Sequence, residues 1–153
     1  MTTLIVGAVI AVVGLLIRAW ASGHIRKAKI LAVSGPYAYT RNPLYVGSLI
    51  MGLGFTIAAG VWWLSLLFLL LFVGIYLPVM RVESDDIRRI FADDFLEYER
   101  EVPLLIPRLT PWKKRGEKFD FQLYFQYREY RAAIGVAGAL AILVAKAIWL
   151  DQF

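Results

Sequence analysis

Leu44 to Met80 reads LYVGSLIMGLGFTIAAGVWWLSLLFLLLFVGIYLPVM, an apolar run without a single Asp, Glu, Lys or Arg. At about 1.5 Å of rise per residue it is too long for one crossing of a hydrocarbon layer about 30 Å thick. It must therefore fold back on itself. The bend is expected around Ala59 and Gly60, where glycine loosens the helix and the Trp62–Trp63 pair suits a membrane interface. This reading gives a tight helical hairpin with arms Leu44–Ala59 and Val61–Met80, the first arm short enough to be tilted or to begin below the hydrocarbon.

Outward from the hairpin, the rest of the chain follows the same pattern. Of its 153 residues 59% are hydrophobic and 19% charged, and mean hydropathy is +0.61. Soluble domains average about 45–50% apolar and about 25% charged, so an ordinary water-soluble globule is excluded. Two further apolar runs, Thr2–Trp20 and Ala132–Leu150, each approach the ~20 residues of a spanning helix. The first lacks the basic start and small-residue cleavage site of a signal peptide and reads as a retained helix. In the last, Lys146 lies near the far end, where a lysine reaches the interface.

The charges collect in two segments. Residues 21–43 carry Arg26, Lys27, Lys29 and Arg41 with no acid, and 81–131 carries eleven basic and eleven acidic residues. Four spans, about 2–20, 44–59, 61–80 and 132–150, put both segments in the cytoplasm and both termini outside, as the positive-inside rule asks. The expected fold is all-α: a polytopic membrane helical bundle forming a single domain over 1–153. Within the second segment Ile87, Ile90, Phe91, Phe95, Tyr98 and Val102 recur at helical spacing, which predicts a cytoplasmic amphipathic helix over about 84–101. Ser84 or Asp85 would cap its start and Pro103 would end it. The aromatics between Phe119 and Tyr130 read first as an interfacial belt before the last span, with a substrate-binding wall as the alternative.

The inventory of reactive side chains is short. There is no cysteine and one histidine, His24, which excludes disulfides and thiolate chemistry and argues against a metal or haem site. The net charge of +5 is accounted for by membrane orientation, so no nucleic-acid partner is expected.

One segment has the makings of a site: Ser34 to Gly47, SGPYAYTRNPLYVG. Asn42 is a good helix N-cap and Pro43 is favoured in the first helical position, so the second span should start here. Its positive dipole end and free N–H groups would then face the cytoplasm and suit an anionic group. Tyr37, Tyr39 and Tyr45 add aromatic faces for a base or a cation. Plain helix capping beside an aromatic belt explains the same residues equally well.

The order Gly35, Pro36, Tyr37, Tyr39, Arg41, Asn42, Pro43, Tyr45, Gly47 resembles the signature of the integral membrane methyltransferases typified by isoprenylcysteine carboxyl methyltransferase and phospholipid methyltransferases. A second match lies beyond the hairpin, where Glu83 stands eight residues before Phe91-Ala-Asp-Asp-Phe-Leu-Glu-Tyr98, followed by Val102, Pro103 and Pro107. Together the two cover about residues 29–107.

The resemblance implies S-adenosylmethionine as cofactor and a lipophilic, membrane-borne acceptor, either an isoprenylcysteine-like carboxylate or a lipid headgroup. By position it assigns Lys29, Ile30, Leu31, Ala32, Tyr37, Asn42, Pro43, Leu44, Tyr45 and Glu83 to the cofactor. Glu83 would also serve catalysis, beside Arg81. Three departures stand out. Asn42 replaces the family's usual histidine, Ser84 replaces the second acid of a Glu-Glu pair, and the family's substrate-contacting arginine falls on Val79, leaving Arg81 as the nearest substitute. Two other readings compete: an NADPH-dependent membrane sterol-type reductase, whose related motif has Asn at the place of Leu44 and an acid at the place of Ser48, and a non-enzymatic membrane scaffold.

Overall fold

A computed structural model describes residues 1–25, 30–112 and 118–150. Among the described residues five α-helices follow one another: α1 (Thr2–Ser22), α2 (Pro43–Ala58), α3 (Trp62–Glu101), α4 (Phe121–Gln126) and α5 (Tyr130–Leu150). A single 3-10 turn covers Gly35–Ala38, and the described residues contain no strand. Three helices, α1, α3 and α5, are long and apolar enough to cross a membrane. The fourth expected span, α2, is apolar but has only 16 residues, about 24 Å of helix.

α1 and α2 form the tightest pair, and small residues are the reason. Gly7, Ala11 and Gly14 repeat at helical spacing on α1 and meet Gly54, Ala58 and Gly47 on α2, running antiparallel. A Cβ added at Gly7 would run into the backbone of Ala58 and Gly54, and one at Gly14 into Met51 and Gly47. Between apolar helices in lipid there is no hydrophobic drive to associate, so backbone approach of this kind supplies the attraction. At the end of this seam the Arg18 guanidinium donates to Ser48 Oγ and forms a bidentate pair with Glu129, Nη2 lying 2.9 Å from Oε1 and Nε 3.2 Å from Oε2. That pair ties the segment before α5 to α1.

The turn between α2 and α3 falls where the hairpin argument puts it, with Gly60 at φ 75°. Side chains rather than backbone separate this second pair. Thr56 bonds Ser65 at 2.8 Å, the Phe68 ring abuts Gly52, and Tyr45 meets Tyr76 with ring centroids 5.3 Å apart.

Beyond Met80 the structure departs from expectation. The amphipathic segment is not a separate helix beginning at Ser84 but the outer half of α3, which continues through Arg81 to Glu101. The reason is local: no glycine or proline stands between Pro78 and Pro103, save for those two, to end it. The Ser84 hydroxyl, expected as a cap, bonds the Met80 carbonyl inside the helix at 2.8 Å. The one interruption is at Ala92, with φ 40° and ψ −113°. Past it, Phe95, Tyr98 and Val102 are fully buried and pack with Ile87, Phe91 and Trp112 against Leu31 and Val33 of the loop before α2.

Candidate functional site

That packing unites the two sequence motifs. The loop after the 3-10 turn and the chain that follows α3 run beside each other as an irregular ladder. Arg41 N–H donates to the Pro103 carbonyl, Arg108 N–H to Tyr39 and Trp112 N–H to Ala38, each at 2.9 Å. Side chains reinforce it: Tyr98 Oη donates to the Tyr37 carbonyl at 2.7 Å, and the Thr40 hydroxyl lies against the carbonyls of Leu104 and Leu105. Arg41 Nη1 pairs with Glu99, whose other oxygen takes Arg88 Nη2 at 2.6 Å.

Between these walls lies a cavity of about 260 Å³, close to the lower end of the range for small-molecule pockets. One wall comes from the loop, with Ile25, Ile30, Leu31, Ala32, Tyr37, Arg41 and Asn42. The facing wall is one side of α3, carrying Glu83, Ser84, Asp86, Ile87, Ile90, Phe91, Phe95 and Tyr98. The mixture is an apolar and aromatic slot with two carboxylates and a guanidinium.

Of the residues singled out from the sequence, Ile30, Leu31, Ala32, Tyr37, Asn42 and Glu83 line this cavity together. Tyr45 lies beside it and acts on it through Glu83, its hydroxyl donating to Oε1 at 3.0 Å. Pro43 is fully buried at the start of α2, and the Leu44 carbonyl accepts from Ser48. Neither lines the cavity. Lys29 falls outside the described residues. Arg81 is exposed and absent from the lining, because two helical positions separate it from Glu83 and place it on another side of α3.

Asn42 occupies the N-cap position, but its side chain makes no capping bond. Its Nδ2 instead donates to the Leu104 carbonyl at 3.0 Å, another tie between the two motifs. The lining residues that the sequence reading did not assign to the site, Ile25, Arg41, Ser84, Asp86, Ile87, Ile90, Phe91, Phe95 and Tyr98, come mostly from α3 and its apolar stripe. That stripe was visible as a packing face, and only the loop folding across it shows that it also borders a cavity.

The electrostatics constrain what each group can do. Burial is the first cause that pushes the Tyr37 hydroxyl well above the ordinary tyrosine value, and the negative groups around it act the same way. Burial likewise raises Tyr98, only partly opposed by Arg41. Both phenols stay protonated near neutral pH and are unsuited to act as bases. For Glu99 burial opposes ionisation, but the hydrogen bonds and charges of Arg88 and Arg41 outweigh it and hold the carboxyl below 4.5. Arg41 keeps one donor over: its Nε is buried and meets no acceptor among the described residues.

Comparison with known proteins agrees with the motif reading. The chain is 35% identical over 113 residues to the cobalt-zinc-cadmium resistance protein CzcN of Cupriavidus metallidurans, covering 72% of this chain and 50% of that protein. It is 32% identical over 118 residues to the nickel-cobalt-cadmium resistance protein NccN of Alcaligenes xylosoxydans xylosoxydans, covering 76% and 54%. Over 81 residues it is 33% identical to the protein-S-isoprenylcysteine O-methyltransferase of Schizosaccharomyces pombe, covering 53% of this chain and 34% of the enzyme. It thus spans about half the length of the two bacterial relatives and about a third of the yeast one. No solved structure matches it. The family model described as phospholipid methyltransferase matches residues 2–94, from the start of α1 through the cavity-lining part of α3 up to Phe91. With that match covering more than half of its length, the chain belongs to the phospholipid methyltransferase family.

Proposed function

We propose that the protein transfers a methyl group from S-adenosylmethionine to a lipophilic acceptor at the cytoplasmic face of a membrane. The observation that carries this reading is the cavity itself: the loop motif, through Tyr37, Arg41 and Asn42, and the Glu83 motif form its opposing walls. In this reading α2 counts as a fourth span, which brings both charged segments to the cytoplasmic side and both termini to the other.

The donor set suits the cofactor. Aromatic and branched side chains, Ile30, Leu31 and Phe91, offer faces for an adenine ring, and the carboxylates of Glu83 and Asp86 suit the cofactor's cationic groups. The cofactor brings an already activated methyl group, which leaves the protein the tasks of placement, water exclusion and charge compensation. Glu83 binds and orients. Tyr45 holds its carboxylate at a fixed place by the 3.0 Å hydrogen bond and so is a positioning residue. Tyr37 and Tyr98 close the floor as neutral phenols. A carboxylate or thiolate acceptor needs no base, whereas an amine would have to give up a proton, and Glu83 is the lining group placed to take it.

Calorimetry of the detergent-solubilised protein tests the proposal. S-adenosylhomocysteine should bind, Glu83→Ala should weaken it strongly, and Tyr45→Phe should weaken it by about tenfold, the worth of one hydrogen bond to a charged group. Binding of NADPH in its place would overturn the methyltransferase in favour of a reductase. Binding of neither by folded protein would favour a scaffold.

A further inference from the structure

The cavity contains a charge that methyl transfer as described does not use. Among the described lining residues Arg41 is the one cation, set against Glu83 and Asp86. Its side chain is only 13% exposed. Glu99 holds Nη1, and the guanidinium carbon sits 5.9 Å from the centre of the Phe95 ring. Nε, by contrast, is buried with no acceptor among the described residues. Native proteins leave few such groups, and a charged donor without a partner is the costliest kind.

S-adenosylmethionine carries two positive groups, its sulfonium and its ammonium, and one negative group, its carboxylate. Two carboxylates and one guanidinium in the cavity are the opposite pattern. The geometry points to Arg41 as a cofactor-binding residue whose incompletely paired guanidinium receives the carboxylate at the amino-acid end of the cofactor. This assignment rests on the proposed function and adds to it the means by which the amino-acid end is oriented. The donor is held in advance of binding: the Arg41 N–H is tied to Pro103 at 2.9 Å, and Glu99 is itself anchored by Arg88 at 2.6 Å. A guanidinium offers its donors in a fixed plane, which a lysine ammonium cannot reproduce.

The test compares S-adenosylhomocysteine with its decarboxylated analogue, which keeps the adenosine, the thioether and the amine. Calorimetry on the wild type, Arg41→Lys and Glu99→Gln should show three things. The wild type prefers the carboxylate-bearing ligand. Arg41→Lys weakens that ligand by about tenfold or more but leaves the analogue within about twofold, as expected for a group that does not touch it. Glu99→Gln, which loosens the loop without removing the donor, affects both ligands alike. Equal losses on the two ligands in Arg41→Lys would reduce Arg41 to a structural role and overturn the assignment. So would a wild type that shows no preference, a result that needs no variant to fold. A third arm measures turnover with a prenylcysteine carboxylate as acceptor. A rise in its KM for Arg41→Lys, with S-adenosylhomocysteine affinity unchanged, would give the carboxylate to the acceptor and overturn the assignment. A wild type that binds neither nucleoside defeats the proposed function itself, whereas binding without carboxylate preference defeats only the role of Arg41.

Discussion

Ala92 holds a backbone conformation, φ 40° and ψ −113°, that a residue with a Cβ rarely adopts. Such strain costs about 1–3 kcal/mol and persists where the surroundings enforce it. Here they do: the break lies between Phe91, which lines the cavity, and Phe95 and Tyr98, which seal its floor. Ala92→Gly should therefore raise thermal stability by about 1 kcal/mol net, since glycine reaches this conformation without a clash but brings more chain entropy to the unfolded state. Thermal unfolding in detergent checks it, and a lower melting temperature would show that the kink is not strained. Nothing in the residue type marks Ala92 beforehand, since alanine is the best helix former. Asn42 illustrates a different limit. Its identity as an N-cap type predicts where α2 starts, and α2 starts there, yet its amide serves a chain segment 62 residues away. Local preference predicts position along the chain and is silent on distant partners.

At the scale of elements, the α1–α2 seam and the tie between α3 and the loop carry the architecture. Replacing Gly14 by leucine forces a side chain against the backbone of Met51 and Gly47 and should cost about 1–3 kcal/mol or more. Gly138→Leu on α5, where a Cβ meets nothing within 4 Å, should stay within about 0.5 kcal/mol. Similar losses for both in a detergent melting series would contradict the seam. The second tie is sensitive to acid. Glu99 has a folded pKa held below its ordinary 4.5, so its contribution is fully present above that value and is lost as pH falls through the lower folded value. As pH falls below the ordinary 4.5 the melting temperature of the wild type should drop more steeply than that of Glu99→Gln. Parallel slopes would remove Glu99 from the tie. The long apolar runs and the Gly60 bend were readable because hydrocarbon thickness and chain rise leave few choices. The glycine seam was also present as small residues at helical spacing, but spacing alone does not say which helix they face. The separate amphipathic helix failed for a plain reason: a change from apolar to charged residues alters what surrounds a helix without interrupting its hydrogen bonds, so α3 passes through that boundary intact.

For the molecule as a whole, half of α3 is the decisive feature. The part of α3 before the break at Ala92, Trp62 to Phe91, is already about 45 Å long against about 30 Å of hydrocarbon, so its charged part must stand outside. There it receives the loop from before α2, and the two motifs that are far apart in the chain become the two walls of one cavity. Motif order suggested which segments belong together. Their meeting depends on Tyr98, Thr40 and Arg41 reaching across, contacts that no periodicity announces. Under the proposed function the acceptor would approach from the membrane and the methyl donor from water, and a site at the level both can reach fits that proposal. The most direct test of this account is ultraviolet cross-linking of methyl-labelled S-adenosylmethionine to the intact protein, followed by peptide mapping. Label confined to peptides from residues 30–45 and 83–98, and competed away by S-adenosylhomocysteine, is the predicted result. Label that resists competition, or that maps to α4 or α5, would contradict it.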